Sequence, residues 1–492
     1  MRQLSGQDAT FLYLESPGAH LHLTALYLYQ QPTRALRFSQ ISQLIESRLD
    51  QSPLFGQKLV RPPLDLDYPY WVDDPDFDPQ RHLLEYSGSI PGSLEELYQA
   101  MGHLHSLPLD LSRPPWQMHI LEKLGRLKGF PPRCFAVIAK YHHAAMDGAS
   151  GTQLVDRLHS PAASRGTAAE HAPLRNRRVA HQPGWVELLA RAGINNVAGQ
   201  IKLGQAVASA LPSLIKPLTQ PLLEPLGQTV RKLAPRSGEA HKQRQAKVVS
   251  VVPKTRFNQP VSANRAFSAF SVSLNEVREM RHAVAGATIN DVVLTVCAGG
   301  LSLWLHEHHE LPDHSLVAMV PVNARSEEDS KLAGNRLSAH FLPIHSDISD
   351  PLKRLRAVRE TTLAAKQPGK GLNPKQASAI SANIAAFPLS VAGKLITGLG
   401  LNHRLMRPCN CTITNVPGAR SMQYLGPAKL LFSTGSGPIL DGMGLIITAF
   451  SYLDQLTFSF TSCTKMLPDP ERLVECTQIA FDQLNQMTTN KS

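Results

Sequence analysis

The chain has 492 residues, of which 42% are hydrophobic, and a formal net charge of +11. This length exceeds the size at which a single hydrophobic core usually splits, so about two globular domains are expected. Six cysteines in so long a chain do not form a disulfide framework, and the sequence has no uninterrupted run of about 20 apolar residues that would predict a spanning helix. Met1-Arg2-Gln3 leads into polar residues without the apolar core of a secretory signal, so a reducing cytosol is the expected compartment.

The first 155 residues are predicted to alternate between helices and strands. Ser5 and Asp8 fit the capping box of an N-terminal helix. Apolar and polar residues alternate over 20–28, which predicts a strand, and a helix is predicted at 38–49. The apolar run 135–141 then predicts a strand that is buried on both faces. This strand is important because a conspicuous polar motif follows it.

The motif is an HHxxxDG pattern, Tyr141-His142-His143-Ala144-Ala145-Met146-Asp147-Gly148. Imidazole has an unperturbed pKa of about 6.5, so a histidine here is suited to accept a proton near neutral pH. Neighbouring residues of a strand point to opposite faces, so one histidine is expected to face a site while the other packs behind it. Asp147 is suited to pair with a cation or to hold a turn, and Gly148 permits a positive φ. From these residues alone, a metal site, a hydrolytic triad and ordinary packing all stay open, although no third metal ligand lies at ligand spacing nearby.

Residues 156–250 are predicted to be a basic, proline-rich connector that is partly helical. Between positions 161 and 250 the chain has thirteen lysines and arginines but four acidic residues, so most of the net charge lies here. Three interpretations compete. The segment is a solvated linker, or a peripheral membrane contact in which basic residues attract anionic lipid, or a nucleic-acid contact. Scarce aromatic residues and the lack of a recognisable nucleic-acid module disfavour the third.

The remaining residues, 251–492, predict a second α/β unit. A strand is expected at 265–272, followed by a helix at 274–282 whose N-cap is Ser273. The clearest helix of the chain spans 288–306, with Thr288 as its N-cap and Asp291 in its first turn. Further on, the sequence predicts a hairpin of two strands, 444–452 and 455–463, and a last helix at 469–487. The polar cluster His306-Glu307-His308-His309-Glu310 is not an HExxH motif, so no metal is predicted there.

The HHxxxDG motif resembles the active-site pattern of the CoA-dependent acyltransferase superfamily, which includes chloramphenicol acetyltransferase and the condensation domains of peptide synthetases. Further blocks resemble the bacterial wax ester synthase/diacylglycerol acyltransferase family from end to end. In chain order these blocks are Leu4-Ser5-Gly6-Gln7-Asp8-Ala9-Thr10-Phe11-Leu12, Pro114-Pro115-Trp116, Asn290-Asp291, Val320-Pro321-Val322-Asn323-Ala324-Arg325 with Gly334-Asn335-Arg336, and Asn415-Val416-Pro417-Gly418. The chain departs from the family pattern at Pro115, where leucine is usual, and at Ala419, where proline is usual.

This resemblance implies an α/β fold of two chloramphenicol-acetyltransferase-like halves, each a mixed sheet with flanking helices, with the active site in a tunnel between them. The halves would be residues 1–155 and 251–492. The implied substrates are acyl-CoA and either a fatty alcohol or diacylglycerol, with no cofactor and no nucleic acid. A cytoplasmic protein in peripheral contact with the inner membrane surface or with lipid droplets is expected. Two alternatives are a condensation-type acyltransferase that uses another acceptor and a non-catalytic coat protein of lipid droplets or membranes.

The resemblance also implies a role for each residue of the motif. His143 is the general base and His142 supports it. Asp147 orients the motif through a pairing with an arginine, for which Arg325 is the candidate, and Gly148 forms the turn. Outside the motif, Asn290 is expected to make a polar or oxyanion contact with the substrate, although an ordinary polar residue at a helix start explains it nearly as well.

Overall fold

The computed structural model describes residues 1–145, 158–163, 181–197, 252–323, 337–366, 386, 390–391 and 408–489. Within these ranges the protein is an α/β fold with two six-stranded mixed sheets and a small three-stranded antiparallel sheet. The helices are α1 (Gly6–Tyr13), α2 (Phe38–Glu46), α3 (Leu94–Ser106), α4 (residues 185–197), α5 (Leu274–Met280), α6 (Ile289–Glu307), α7 (Pro351–Lys366) and α8 (Pro470–Thr489).

The strands divide among the three sheets as follows. The small sheet has the order β1-β4-β3, the first large sheet β12-β13-β2-β7-β6-β5, and the second β10-β9-β11-β14-β15-β8. The strands are β1 (Arg2–Gln3), β2 (His22–Gln30), β3 (Gln57–Val60), β4 (Tyr70–Asp73), β5 (Leu83–Glu85), β6 (Trp116–Leu121), β7 (Cys134–His142), β8 (Arg265–Ser273), β9 (Val317–Asn323), β10 (Leu337–Pro343), β11 (Cys411–Val416), β12 (Tyr424–Leu425), β13 (Ala428–Ser436), β14 (Ile446–Tyr452) and β15 (Gln455–Cys463).

The first large sheet, here called the N-terminal sheet, is completed by strands from far along the chain. Its centre is β2, which pairs antiparallel with β7 on one edge and with β13 on the other. The predicted C-terminal segment, 251–492, therefore supplies strands to both large sheets, which a division of the chain into successive halves did not anticipate. The physical reason is that β13 covers an edge of β2 that would otherwise expose unpaired backbone groups.

The second large sheet, here called the C-terminal sheet, packs against α6, α7 and α8 around one large apolar cluster. Strands β9, β11 and β14 are parallel neighbours, and the other pairs of this sheet are antiparallel. Thr288 and Asp291 form a reciprocal capping box at the start of α6, which confirms that part of the prediction. The predicted hairpin is β14 and β15, and Leu453 in its turn adopts φ 56°.

Helix α6 is also notable for its hydrophobicity. Among the residues that the structure describes, it is the one helix that is long and apolar enough to cross a membrane by length and composition. However, 72% of its apolar window is buried inside the protein. Its side chains therefore serve as the centre of the apolar cluster between the C-terminal sheet and the other helices.

Helix α3 lies between the two large sheets. Its apolar residues Leu97 and Met101 share a cluster with Leu26 of β2, Ile138 of β7 and Phe267 of β8. On the same helix, Gly102 approaches the backbone of β8 so closely that an added Cβ would lie 2.9 Å from the Arg265 carbonyl oxygen. The helix thus joins the N-terminal sheet to the edge strand of the C-terminal sheet.

The chain crosses from one large sheet to the other at the segment Asn415-Val416-Pro417-Gly418. Its first two residues end β11, and the strands that follow, β12 and β13, belong to the N-terminal sheet. The backbone N–H of Gly418 donates to the Ser451 hydroxyl oxygen at 3.2 Å. A Cβ atom at position 418 would collide with the Ser451 carbonyl oxygen and the Phe450 ring. The crossing therefore requires glycine for close approach to β14.

We predict that Gly418→Ala lowers the free energy of unfolding by about 1–3 kcal/mol, because the added methyl group must displace backbone. Thermal denaturation followed by circular dichroism would measure this change. The matched control is Gly193→Ala in α4, where an added Cβ meets no atom within 4 Å. Equal melting temperatures for the parent protein and Gly418→Ala would contradict the packing argument.

Candidate active site

The two histidines of the motif lie where β7 ends and a turn begins, as predicted. All nine residues of β7 are buried, and β2 and β6 flank it. His142 is its last residue, and His143 opens a short 3₁₀ turn, His143–Ala145. A buried central strand is a rigid support, so the histidine that follows it has a well-defined position.

Neighbouring segments hold the backbone of both histidines. The N–H of His142 donates to the Pro115 carbonyl oxygen at 2.9 Å, and that of His143 donates to the Leu21 carbonyl oxygen at 2.9 Å. Trp116, which follows Pro115 in the sequence, is buried and donates from its indole nitrogen to the Phe55 carbonyl oxygen at 3.0 Å. The Pro-Pro-Trp element therefore fixes the backbone position of the motif, although the two lie more than 20 residues apart in the sequence.

The His142 ring is fully buried and makes structural contacts. Its Nδ1 accepts the backbone N–H of Ala144 at 3.1 Å. An amide can only donate, so the ring proton of His142 lies on Nε2. That Nε2 lies 3.4 Å from Oε1 of Glu15. His142 thus fixes the turn that contains its neighbour, in keeping with the expected supporting role.

The His143 ring stacks on Phe11 of α1, with the ring centroids 3.8 Å apart and the planes inclined by 20°. The residue is half-buried, and its Nδ1 is enclosed with no hydrogen-bond partner among the described residues. Burial, and to a lesser extent the nearby His142, lowers the pKa of His143 to about 4. The ring is therefore neutral at physiological pH and able to accept a proton.

A second group of buried polar residues lies between β7 and α3, on the face of the N-terminal sheet that His142 shares. The ammonium of Lys140 donates to the carbonyl oxygens of Leu104 and Leu107 at 3.0 and 2.8 Å, at the C-terminal end of α3. His105 Nδ1 pairs with the Thr24 hydroxyl at 2.7 Å. Burial lowers the pKa of Lys140 to about 8, and the negative end of the helix dipole stabilises its charge. Sequence reasoning missed this group, although a lysine within an apolar strand was a signal.

The other predicted site residues are not gathered around His143 by any described contact. Asn290 is half-buried at the second position of α6, and no hydrogen bond between described residues joins it to the histidines. Asp291 accepts the Thr362 hydroxyl at 2.6 Å and lies 3.8 Å from the Arg359 guanidinium, so it ties α6 to α7. Asp147, Gly148 and Arg325 lie outside the described residues, and their predicted roles stay predictions.

The acidic and histidine-rich end of α6 makes ordinary surface contacts. Glu307 pairs with Arg472, and Glu310 pairs with Arg256 at 2.6 Å. His308 Nδ1 lies 2.8 Å from the Trp304 carbonyl oxygen. A search of the described residues for three or more potential metal ligands in one place finds no such group. These ion pairs explain the polar cluster as a structural feature of the helix end.

All six cysteines of the chain are free and buried. Burial raises the pKa of the Cys134, Cys297 and Cys411 thiols. A thiol is a strong nucleophile only as a thiolate, and buried apolar surroundings disfavour that form. None of the cysteines therefore has the environment of a catalytic nucleophile.

Comparison with solved structures agrees with this architecture. A wax ester synthase/diacylglycerol acyltransferase from Marinobacter aquaeolei VT8 superposes with a TM-score of 0.65 at 24% identity, covering 99% of this chain and 100% of that protein. The first condensation domain of the CDA synthetase superposes with a TM-score of 0.52 at 16% identity, covering 99% and 96%. The chain therefore shares the two-sheet fold of these two proteins.

Sequence comparison then identifies the family. The model of the wax ester synthase/diacylglycerol acyltransferase catalytic domain matches residues 4–293, and that of the C-terminal domain of the same family matches residues 333–485. Two Mycobacterium tuberculosis proteins named for diacylglycerol O-acyltransferase activity are 30% and 28% identical, covering 98% of this chain and 99% and 91% of their own lengths. The chain belongs to the wax ester synthase/diacylglycerol acyltransferase family and is an acyl-CoA-dependent O-acyltransferase. This assignment confirms the resemblance found in the sequence.

We predict that the imidazole of His143 titrates with a midpoint near pH 4, well below the ordinary value of about 6.5. The reason is that burial disfavours the charged ring. Histidine-selective ¹⁵N labelling and NMR from about pH 3 to 8 would follow the ring nitrogens, with His143→Gln to assign the signal. A midpoint between pH 6 and 7 would contradict the enclosed environment.

Proposed function

We propose that the protein transfers a fatty acyl group from acyl-CoA to the hydroxyl of a long-chain alcohol, giving a wax ester, or of diacylglycerol, giving triacylglycerol. His143 is the general base of this reaction. The observation that carries the proposal is the His143 ring itself, which is neutral and stacked on Phe11, while hydrogen bonds hold the turn that contains it. The names of the family and of its relatives support the acceptor classes.

The proposed reaction has two proton transfers. The acceptor hydroxyl gives its proton to Nε2 of His143 while its oxygen attacks the thioester carbonyl carbon. We assign Nε2 because Nδ1 is enclosed. The tetrahedral intermediate then expels the CoA thiolate as the carbon–sulfur bond breaks, and the imidazolium returns the proton to the sulfur. Base assistance of this kind accelerates a reaction by about 10²–10⁴-fold.

The transfer in this proposal is direct and forms no acyl-enzyme. The free cysteines support this, because all six are buried and burial raises the pKa of the Cys297 and Cys411 thiols, which disfavours thiolates. The lowered pKa of His143 keeps its ring in the neutral form, which can accept a proton, before each turnover. In the same proposal, Asp147 and Gly148 shape the loop after the base, and Asn290 offers its amide at the start of α6, where backbone N–H groups favour negative charge.

We further propose that acyl-CoA reaches His143 in a tunnel between the two large sheets. The support is the position of the site, since β7 lies at the centre of the N-terminal sheet and α3 separates that sheet from β8.

We predict that His143→Ala lowers kcat for acyl transfer to hexadecanol or to diacylglycerol by about 10²–10⁴-fold, because the base is removed. Release of CoA thiol and radiolabelled ester formation would both be measured. The matched control is His306→Ala, which removes an exposed histidine at the end of α6. A folded His143→Ala protein with the parent rate would refute the proposed mechanism.

We also propose that the protein is cytoplasmic and binds peripherally to the inner membrane surface or to lipid droplets, where its acceptors reside. Helix α4 of the basic connector supports this because two of its polar residues, Asn195 and Asn196, face the protein. Asn195 donates to the Asp67 carboxylate at 2.7 Å, and Asn196 donates to the Leu66 carbonyl oxygen at 2.8 Å. A helix on a water-facing surface usually has the opposite arrangement.

The outward face of α4 carries four large apolar side chains beside the exposed Arg191. Trp185 and Ile194 are 68% and 70% exposed, and Val186 and Val197 are also exposed. Such a face is suited to enter the interfacial layer of a bilayer, with basic residues of the connector attracting anionic lipid. Because Leu188 packs against Tyr70 and Val72, α4 is held in this orientation.

We predict that the double substitution Trp185→Ser and Ile194→Ser weakens binding to vesicles of phosphatidylglycerol and phosphatidylcholine at least about tenfold, since each buried apolar side chain contributes roughly 1.5–3 kcal/mol. Co-sedimentation would measure the binding. The control pair is Ile479→Ser and Met487→Ser on α8, which are 41% and 40% exposed. Equal losses in both double variants would argue against α4 as the contact.

A further inference from the structure

We infer that Glu15 is a positioning residue for acyl transfer, one whose carboxylate fixes both the tautomer of His142 and the backbone on either side of His143. This inference rests on the proposed role of His143 as the base. Glu15 lies just after α1, outside the HHxxxDG motif and outside the block Leu4–Leu12 that resembles the family. It does not touch the reacting atoms in this proposal and acts through its neighbours.

The first connection runs through Leu21. Oε1 of Glu15 accepts the backbone N–H of Leu21 at 3.0 Å. The carbonyl oxygen of Leu21 in turn accepts the N–H of His143 at 2.9 Å. The carboxylate therefore fixes the residue that holds the amide of the base, immediately before β2 begins.

The second connection runs through His142. The same Oε1 lies 3.4 Å from His142 Nε2, and His142 Nδ1 accepts the N–H of Ala144 at 3.1 Å. If the ring proton moved to Nδ1, two donors, Nδ1–H and the Ala144 N–H, would face each other and the turn would lose that hydrogen bond. A carboxylate beside Nε2 favours the tautomer with the proton there, because a carboxylate is an acceptor only.

The two connections converge on one turn. Glu15 restrains the backbone amide of His143 through Leu21, and it restrains the backbone amide of Ala144 through His142. One carboxylate oxygen thus restrains the backbone on both sides of the base, and Phe11, four residues before Glu15, restrains the ring by stacking. The orientation of the His143 ring therefore depends on α1 and the residues just after it, which contain Phe11 and Glu15.

The charge state of Glu15 suits this role. Burial would raise the pKa of its carboxyl, but the contact with His142 and the hydrogen bond from Leu21 hold that pKa below its ordinary value. His20 Nδ1 lies 4.0 Å from the same oxygen and adds attraction when protonated. The carboxylate is therefore ionised, and an ionised acceptor forms stronger hydrogen bonds than a neutral one.

The test compares three substitutions at position 15 by steady-state kinetics with acyl-CoA and hexadecanol. Glu15→Ala is expected to lower kcat by about 10- to 100-fold, as loss of a partner that orients a functional histidine does. The KM for acyl-CoA should stay within about twofold, because Glu15 contacts no substrate in this proposal. Glu15→Gln should keep kcat within about threefold, since its amide oxygen can still accept from Leu21 and lie beside His142 Nε2.

A spectroscopic readout separates positioning from general stability. The ¹⁵N signals of the His142 ring should report the Nε2–H tautomer in the parent protein and in Glu15→Gln, and a mixture of tautomers in Glu15→Ala. Glu15→Asp keeps the charge but is shorter by one methylene, so it is expected to fold, to lose the contact with His142 and to lower kcat. This variant tests the inference even if Glu15→Ala does not fold.

The matched control is Glu122→Ala. Glu122 resembles Glu15 because its side chain is 18% exposed, against 21% for Glu15. It also accepts a backbone N–H, that of Phe38 at 2.9 Å, but in a distant part of the sheet. Its removal should lower the melting temperature and leave kcat and the His142 tautomer unchanged.

Several outcomes would overturn the inference. These are parent kcat in folded Glu15→Ala or Glu15→Asp, an equal loss in Glu15→Ala and Glu15→Gln, or an unchanged His142 tautomer in every variant. A failure of the base assignment looks different, because His143→Ala would then keep its activity. An inactive His143→Ala with a fully active Glu15→Ala would refute the positioning role alone.

Discussion

The register between β2 and β7 is the constraint on which the site depends. In this register His22 lies opposite His142 and Leu23 opposite Tyr141. A slip by one residue would turn each side chain to the other face of the sheet, which would remove His142 from Glu15 and separate the Leu21 carbonyl from the amide of His143. Because β13 pairs with the other edge of β2, the C-terminal part of the chain also fixes this register.

The cost of this arrangement is a set of polar groups buried beside the apolar cluster of α3. Buried polar groups are tolerated when they are hydrogen-bonded, and here the partners come from different elements. The C-terminal carbonyl groups of α3 accept from Lys140, and Thr24 of β2 pairs with His105 of α3. The same helix packs against β8 of the other large sheet. The groups behind the motif are therefore stabilised by the packing that joins the two sheets.

Much of the local structure follows from short-range chemistry, so the sequence predicted it well. Capping residues such as Ser5, Ser273 and Thr288 mark helix starts because their side chains satisfy free N–H groups. The buried strand before the motif and the final hairpin were likewise found from hydrophobic periodicity. The sequence did not predict that β12 and β13 belong to the N-terminal sheet. The reason is that β13 pairs with β2 across some 400 residues, and such pairing leaves no periodic signal within either segment.

The sequence by itself indicated the chemical class of the protein through its resemblance to the family. Hydrophobic periodicity placed the paired histidines at a strand end, and strand alternation predicted that His142 and His143 are not equivalent. The tertiary structure alone decided which groups surround His143. Glu15, Leu21 and Phe11 are more than 120 residues away from it along the chain, and they meet it only because β2 pairs with β7 and α1 packs against the turn. The lowered pKa of His143 has the same origin, since desolvation depends on neighbours that packing brings together.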